Sequence, residues 1–406
     1  MTTRGSAGHL LPLAPFGHAC VRAGHEVLVA AQRQRRGNVE RTGLTFAPVE
    51  DPPPDEWMPL MAQFAELSVE RANELMIEFF ARIDTVAALP GLRALVEDWQ
   101  PDIILRESCE FASTLVADMY GIALVRVGLG LAAVEEKAIQ LAAGTVDRLR
   151  ADMGLSADRA GDRLRNTPYF TMVPERLEDP EIALPALTHR FALDAPVATP
   201  ALPDWWPGNN DPLVYLTLGS VTAAEHLPYY PSLYRAAIDE LAPLRARVLV
   251  TIGDNRDVEQ LGPLPSNVHV ERWVAHDAVA AHAAAIVGHG GYGTTLGSIR
   301  HGVPQVVMPL FSNDQWANAA AVARAGAGIS LCAERGTRPV LGLPGPDTLG
   351  ELGPAVQRVL SDGSYRDRAG RIATAADELP PVDAAVDALV AISRQRDSAP
   401  ALMAQR

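Results

Sequence analysis

Four closely spaced glycines constrain the fold of this chain more than any other feature of its sequence. They are Gly288, Gly290, Gly291 and Gly293. An apolar run precedes them and Thr294-Thr295 follows, which predicts a strand, a turn and the start of a helix. Glycine lets the backbone approach a ligand closely, and a helix start offers free N–H groups at the positive end of its dipole. The segment predicts an anion site, most simply for a diphosphate; a glycine-rich turn before a capped helix is the alternative.

Two polar groups accompany the glycines. His289 lies among them, and we expect its ring to donate a hydrogen bond to phosphate oxygens. Asp314-Gln315 follows the next apolar run, and an adjacent carboxylate and carboxamide at a strand-to-helix junction can bind neighbouring sugar hydroxyls. The alternatives are a solvated histidine and an aspartate that only caps a helix beginning at Gln315.

Apolar runs alternate with helical patterns along most of the chain, which is typical of parallel α/β architecture. The predicted strands cover residues 26–31, 103–105, 123–127, 213–218, 247–252, 268–271, 285–287 and 305–308. The predicted helices cover residues 60–67, 75–89, 92–99, 111–119 and 232–241, and most of 352–394 with a break at Pro380-Pro381.

A proline-rich stretch divides this pattern. Eight prolines lie between residues 174 and 212, and the α/β rhythm restarts at Leu213. Such a composition is typical of a linker. We therefore predict an N-terminal domain over residues 1–195, a linker over 196–212, a second domain over 213–380, and a C-terminal helix and tail over 381–406. Ligands of open parallel sheets bind at the carboxyl ends of strands, so two such domains imply a cleft between them.

The composition argues against several kinds of partner. The formal net charge is −14, whereas binding to a nucleic-acid backbone requires a basic face, so no nucleic-acid partner is expected. No apolar stretch is long enough to form an integral membrane segment. Cys20, Cys109 and Cys332 show neither disulfide nor zinc-site spacing, which favours a reducing cytoplasm. We expect a cytoplasmic monomer or homodimer that needs no cofactor.

Together these segments resemble the donor-binding region of family-1 glycosyltransferases, especially the actinobacterial natural-product members such as the calicheamicin and macrolide glycosyltransferases. The matching segments are 5–12, 23–27, 273–274, 289–291, 302–304, 314–315 and 326–328. The resemblance implies the GT-B fold, in which two Rossmann-like, doubly wound α/β domains face each other across a cleft. It also implies a single inverting displacement without a bound metal, and the sequence has no Asp-x-Asp motif for a divalent cation.

The resemblance further implies a general base and an acid that orients it. The base is His9, in a glycine-rich turn, because imidazole suits proton abstraction near neutral pH. The acid is Glu107, where relatives more commonly have aspartate, and Glu110 is the alternative. Without the resemblance, His9 is a turn residue and Glu107 a solvated carboxylate.

For the donor, the resemblance implies that Trp273 presents a flat face to the nucleobase and that the Val274 backbone binds the edge of the base. A buried core position is the alternative for Trp273. Phosphate contacts are expected from Ser220, His289, Gly291, Gly293 and Thr294. Gly297 stands where plant relatives have a ribose-binding glutamate, which favours dTDP over UDP.

The acceptor is expected in the first domain. The candidate contacts are Trp57, Met58, Phe64 and Phe80. A segment rich in methionine and aromatic residues suits a large apolar aglycone, although its spacing is also typical of a helix core. The expected reaction moves a (deoxy)sugar from a nucleotide diphosphate donor, dTDP-linked, to a hydroxyl of an apolar natural-product aglycone.

Other functions fit parts of the sequence. A nucleotide-sugar epimerase, a membrane-associated glycosyltransferase and a non-catalytic helper protein share the expected fold. A dinucleotide-binding oxidoreductase is a further alternative, because Gly288, Gly290 and Gly293 satisfy G-x-G-x-x-G. That motif, however, follows the first strand of its domain, whereas here three predicted strands of the second domain precede it.

The start of the chain departs from the resemblance. Family members open with a short apolar strand before the turn that holds the base, whereas this chain reaches Gly5 after four residues. That strand lies at the centre of the first sheet. We therefore expect the central strand to be missing, the first domain to be weakened, and the native start to lie upstream.

Overall fold

The computed structural model describes residues 1–193, 201–222, 227–331 and 339–397. In these ranges the strands form two parallel sheets, which confirms the predicted α/β class. The strands are β1 (Leu28–Gln32), β2 (Thr45–Val49), β3 (Ile103–Glu107), β4 (Ala123–Val127), β5 (Tyr169–Thr171), β6 (Thr188–Arg190), β7 (Leu213–Thr217), β8 (Arg247–Thr251), β9 (Val268–Glu271), β10 (Ala285–Gly288), β11 (Gln305–Val307) and β12 (Gly328–Ser330).

The second sheet has the strand order β12-β11-β10-β7-β8-β9, with every neighbouring pair parallel. It is covered on both faces, because Val214 and Leu216 of β7 enter one apolar cluster while Leu213 and Tyr215 enter another. Chain order reverses between β7 and β10, so the crevice beyond their carboxyl ends is where a Rossmann-like domain binds its ligand.

The first sheet contains a strand residue that we did not expect. Thr2 bridges Ala30 of β1 and Arg106 of β3, both in parallel, and so joins β2-β1 to β3-β4-β5-β6. The Thr2 N–H donates to Leu105 O at 2.8 Å, and the Glu107 N–H donates to Thr2 O at 3.1 Å. The expectation that the central strand is missing was therefore wrong, since residues 1–3 occupy its place.

The helices are α1 (Ala7–Leu10), α2 (Ala14–Arg22), α3 (Arg36–Glu40), α4 (Pro54–Ala62), α5 (Val69–Glu78), α6 (Thr85–Trp99), α7 (Ala112–Tyr120), α8 (Ala132–Asp152), α9 (Asp162–Arg165), α10 (Gly219–Thr222), α11 (Ser232–Leu241), α12 (His276–Ala280), α13 (Tyr292–Arg300), α14 (Asn313–Arg324), α15 (Pro346–Gly350), α16 (Leu352–Ser361), α17 (Ser364–Asp377) and α18 (Ala385–Asp397). A π-helical turn, Phe79–Asp84, joins α5 to α6. Short 3₁₀ turns lie at Arg33–Arg35, Phe64–Glu66, Glu175–Leu177, Val258–Leu261 and Val382–Ala384. No helix among the described residues is long and apolar enough to cross a membrane.

The predicted linker connects β6 to β7. Residues 194–200 lie outside the described residues, so the predicted boundary at 195 does too; residues 201–212 contain no helix or strand. Trp205 lies against the second domain, where its Nε1 donates to Glu271 Oε1 at 3.1 Å. The predicted break at Pro380-Pro381 separates α17 from α18.

One buried apolar cluster contains residues from both domains. Phe16, Val125 and Phe170 of the first domain belong to it together with Leu296 and Val322 of the second. The C-terminal residues Val382, Ala385 and Leu389 belong to the same cluster. The last helix therefore returns to the first domain and packs where the two domains meet.

Candidate active site at the two strand-order reversals

His289 lies at the strand-order reversal of the second sheet, directly after β10. Its ring fits between two glycines: a Cβ at Gly219 would lie 2.6 Å from His289 Cε1, and one at Gly291 would lie 2.4 Å from His289 Nε2. Burial lowers the pKa of His289 to about 4, so the ring is neutral at pH 7. Its Nδ1 is buried and hydrogen-bonds no other described residue. The ring can thus exchange a hydrogen bond with a ligand but brings no charge.

A buried asparagine holds the glycine turn in place. Gly290 has a φ of +85°, and a Cβ there would lie 2.7 Å from Gln315 O. Asn318 Nδ2 donates to Gly290 O at 2.8 Å. Sequence reasoning missed Asn318, although its place four residues after Asp314 puts it on the same face of α14.

The start of α13 faces this turn. Gly291 is the residue before the helix and has no side chain to cap it, and the Thr295 N–H donates to Gly291 O at 2.9 Å. The N–H groups of Tyr292, Gly293 and Thr294 therefore have no partner within the helix. Such groups are the donors that an anion binds at a helix start.

Asp314 and Gln315 have different hydrogen-bond partners at the start of α14. Helix α14 begins at Asn313 with Ser312 before it, so the alternative that Asp314 caps a helix beginning at Gln315 was wrong. Gln315 Oε1 accepts from the N–H groups of Leu310 at 2.8 Å and Phe311 at 3.0 Å, which shapes the β11–α14 loop. Asp314 accepts from the Ser312 hydroxyl.

Trp273 is one of the most exposed large apolar side chains described, at 69% exposure, and lies two residues after the end of β9. A core role is therefore excluded, and its ring is available to stack on a planar ligand. Val274 next to it packs against the apolar cluster that contains Leu213 and Tyr215 of β7. Ser220 lies in α10 after β7, but its side chain lies outside the described residues.

In the first domain, His9 and Glu107 meet where the strand order reverses. His9 Nδ1 lies 2.9 Å from Glu107 Oε1; the His9 side chain is 20% exposed and that of Glu107 fully buried. Burial favours a higher pKa for Glu107, but His9, the Cys109 N–H and Arg4 together hold that pKa below its usual value. The ionised carboxylate can only accept, so Nδ1 carries the proton and Nε2 keeps its lone pair.

Arg106 fixes the turn that carries Glu107. It is fully buried, and its Nη1 donates to the carbonyl oxygens of Glu107, Ser108 and Glu110 at 3.1, 3.0 and 2.8 Å. Glu110, the alternative acid, accepts from the Ser113 N–H at 3.1 Å and from the Ser113 hydroxyl, at the start of α7. Between the two carboxylates, Glu107 is therefore the one that hydrogen-bonds His9.

A second ion pair lies beside this dyad, and sequence reasoning missed it. Arg4 Nε donates to Asp84, the last residue of the π-helical turn, and Gln32 Nε2 donates to Asp84 Oδ1 at 3.2 Å. The Arg4 guanidinium lies 3.7 Å from the ring centroid of Phe80, and that ring meets the His9 ring edge-on at 5.8 Å. The pair thus packs through Phe80 against the His9 side chain of helix α1.

The two halves of the site face each other. Burial raises the pKa of Asp314, and the positive charge that His9 carries when it is protonated acts against that rise, although the two residues belong to different domains. The side chains therefore lie within electrostatic reach across the cleft.

The candidate acceptor residues do not form one surface. Phe80 is buried beside His9, and Trp57 packs on the same apolar cluster as Phe80. Phe64 packs against another cluster, which joins Val69 of the first domain to Trp316 and Val340 of the second. Met58 is 57% exposed. Only Phe80 among the four is in ring contact with the His9 side chain.

Comparison with known proteins decides the family. Residues 18–158 match the N-terminal domain, and residues 235–392 the C-terminal domain, of erythromycin biosynthesis protein CIII-like proteins. The L-demethylnoviosyl transferase of Streptomyces niveus is 32% identical over 415 residues, which cover 99% of each chain. The chain belongs to this family of antibiotic glycosyltransferases.

Solved structures agree with this family. The glycosyltransferase SnogD from Streptomyces nogalater superposes with a TM-score of 0.74 at 25% identity, over 97% of this chain and 98% of that one. The glycosyltransferase VinC, solved in complex with dTDP, gives a TM-score of 0.74 at 24% identity, over 97% and 99% of the chains. The predicted GT-B fold of this family member is thereby confirmed. This antibiotic glycosyltransferase is an enzyme. Its glycine run follows β10, the fourth strand of the second domain, whereas the dinucleotide-binding motif follows the first strand of its domain.

Proposed function

We propose that the chain transfers a deoxysugar from a dTDP-linked donor to a hydroxyl of an apolar natural-product aglycone, with inversion and without a metal. The observation that carries this proposal is the 2.9 Å contact between His9 Nδ1 and Glu107, which leaves Nε2 as the proton acceptor. In this scheme His9 lies opposite the start of α13, where the diphosphate of the donor binds.

The reaction is a single displacement. His9 Nε2 takes the proton of the acceptor hydroxyl while its oxygen attacks the anomeric carbon, and the bond from that carbon to the diphosphate oxygen breaks. Attack opposite the leaving group inverts the carbon. Glu107 stabilises the imidazolium that forms, as the acid of a catalytic triad does. The N–H groups at the start of α13 stabilise the charge on the departing dTDP.

The donor preference rests on Gly297. A Cβ at this position would lie 2.7 Å from His276 Cδ2, so the His276 ring occupies the space that a longer side chain would need. No carboxylate therefore projects from position 297 towards a ribose 2′-hydroxyl, which dTDP lacks and UDP has. The dTDP in the fold neighbour VinC is consistent with this preference.

We expect calorimetry to show dTDP binding roughly threefold to tenfold more tightly than UDP, because the 2′-hydroxyl of UDP would lose water without gaining a partner. NAD should not bind. Trp273→Ala should weaken dTDP by about tenfold or more, since stacking on a base contributes about 1–3 kcal/mol. Trp99→Ala, at the end of α6 in the first domain, is the matched control and should bind dTDP normally. Tighter binding of UDP, or equal weakening by both variants, would refute the donor assignment.

We expect transferase activity to survive saturating EDTA. The proposed site stabilises the leaving diphosphate with backbone N–H groups and His289, so no divalent cation is required. The measurement is the initial rate with dTDP-sugar and acceptor before and after dialysis against EDTA. A loss of rate that magnesium or manganese restores would contradict the metal-free mechanism.

An exposed apolar side chain close to His9 in sequence suits an apolar acceptor. Leu11 follows His9 by two residues and is 60% exposed. Exposed apolar groups beside a base can cover the face of a large aglycone while its hydroxyl reaches His9.

A further inference from the structure

Cys109 carries a thiol that has no role in the proposed transfer reaction. It follows Glu107 by two residues, and its N–H donates to Glu107 Oε2 at 2.5 Å. Burial, together with Glu107 and Glu135, raises the pKa of its thiol well above the ordinary value, so the free thiol is neutral. Among the described residues, one group of three possible metal ligands exists: His9, Glu107 and Cys109, whose ligand atoms all lie within 4.8 Å of one another.

We propose that His9, Glu107 and Cys109 form an inhibitory binding site for Zn²⁺. An imidazole nitrogen, a carboxylate oxygen and a thiolate sulfur are the donors that zinc uses in proteins. A tetrahedral zinc site spaces its ligand atoms about 3.5 Å apart, so a contraction of about 1 Å closes the set. The fourth position faces the accessible side of the set, because His9 and Cys109 are partly exposed whereas Glu107 is buried.

The surroundings hold two of the three ligands on one rigid turn. The Arg106 guanidinium fixes the carbonyl oxygens on both sides of Cys109, and this turn carries Glu107 as well. Arg4 and the buried Arg106 are nearby positive charges that oppose a cation. Asp84 already pairs with Arg4. His9, in helix α1, is the ligand that lies outside this turn.

Zinc at this site disables the base through the tautomer of His9. Metal bonding at Nδ1 replaces the hydrogen bond to Glu107, and the ring proton moves through solvent to Nε2. Nε2 then has no lone pair for the proton of an acceptor. The Cys109 thiol releases one proton to solvent as it becomes a thiolate ligand. Inhibition rests on the proposed role of His9, whereas metal binding does not.

The binding test uses the full chain and Co²⁺, a spectroscopic substitute for Zn²⁺. We expect one equivalent of Co²⁺ to give a thiolate-to-cobalt charge-transfer band that Zn²⁺ abolishes by displacement. Cys109→Ala and Cys109→Ser, each checked for an unchanged melting temperature, should lack the band. Cys20→Ala and Cys332→Ala are matched controls and should keep it. No band in the unaltered chain, or a band that persists in both Cys109 variants, would overturn the site.

The inhibition test compares each variant with its own metal-free rate. At free Zn²⁺ about ten times its dissociation constant, the unaltered enzyme should lose roughly tenfold in turnover, and EDTA should restore it. Both Cys109 variants should lose less than twofold under the same conditions. Equal inhibition of the Cys109 variants would overturn the inhibitory role. If the unaltered chain shows the cobalt band but the His9→Ala variant remains fully active, the metal site stands and the proposed base is wrong.

Discussion

Replacing His9 with alanine is expected to lower turnover by a factor of about 10²–10⁴. In the proposed mechanism the variant loses the nitrogen that takes the proton of the acceptor hydroxyl, while the start of α13, His289 and Trp273 remain. Donor affinity should therefore stay within about twofold of the unaltered enzyme. The measurement is kcat with saturating dTDP-sugar and acceptor, together with calorimetry of dTDP binding.

His25→Ala is the matched control for this experiment. His25 is exposed and hydrogen-bonds through its backbone to Cys20, so its removal deletes an imidazole without changing the dyad. It should leave turnover unchanged. If His9→Ala keeps near-normal turnover, or if both variants lose turnover equally, His9 is not the base.

Glu107→Gln is expected to lower turnover by a similar factor, about 10²–10⁴, because a neutral amide cannot stabilise the imidazolium. The amide can also donate to Nδ1, which would place the proton of His9 on Nε2 and remove its lone pair. Donor affinity should again change little. Single-turnover rates measure the effect on the chemical step, and dTDP calorimetry measures the effect on donor affinity.

Two variants make the Glu107 experiment specific. Glu107→Asp keeps a carboxylate on a side chain one methylene shorter, so it should recover a large part of the rate that glutamine loses. Glu110→Gln alters the buried carboxylate that bonds Ser113, not His9, and should change the melting temperature more than turnover. A Glu110→Gln variant as inactive as Glu107→Gln would argue against Glu107 as the orienting acid.

The strand pattern was predictable where apolar runs are long or follow a clear break. Ala123–Val127, Val268–Glu271 and the helix Ser232–Leu241 have the predicted bounds. The missed strands β5, β6 and β12 have three residues each, too few to show a period. Strand β2 was missed as well; it contains Pro48 and lies at the sheet edge, where proline is tolerated.

Helix α8, at 21 residues the longest described, was not predicted either. Its buried face includes Glu135 and Arg150 beside alanines, so apolar periodicity is weak. The charges are satisfied by partners distant in sequence: Arg126 lies 3.4 Å from Glu135, and Arg150 lies 2.6 Å from Asp118. A pattern of apolar residues cannot reveal a helix whose burial depends on such pairs.

Sequence patterns predicted only those parts of the candidate site that lie in local motifs. The glycine turn, Trp273 and Asp314 follow predicted strands, so sequence alone assigns them to one sheet edge. The supporting groups Arg4, Asp84 and Arg106 act through hydrogen bonds and ion pairs that no local sequence pattern predicts. Asp84, for example, is 80 residues from Arg4 and lies at the end of a π-helical turn that the helical pattern did not predict.

The apolar cluster shared by the two domains links their unfolding. Because Phe16 and Phe170 are buried in the same cluster as Leu296 and Val322, separating the domains would expose apolar surface on both sides. We therefore expect the two domains to unfold together rather than independently. A nucleotide that binds only the second domain consequently raises the free energy of unfolding of the first domain as well. A wide hinge motion of the cleft would also break this cluster, so we expect opening to proceed through small sliding movements of the packed helices.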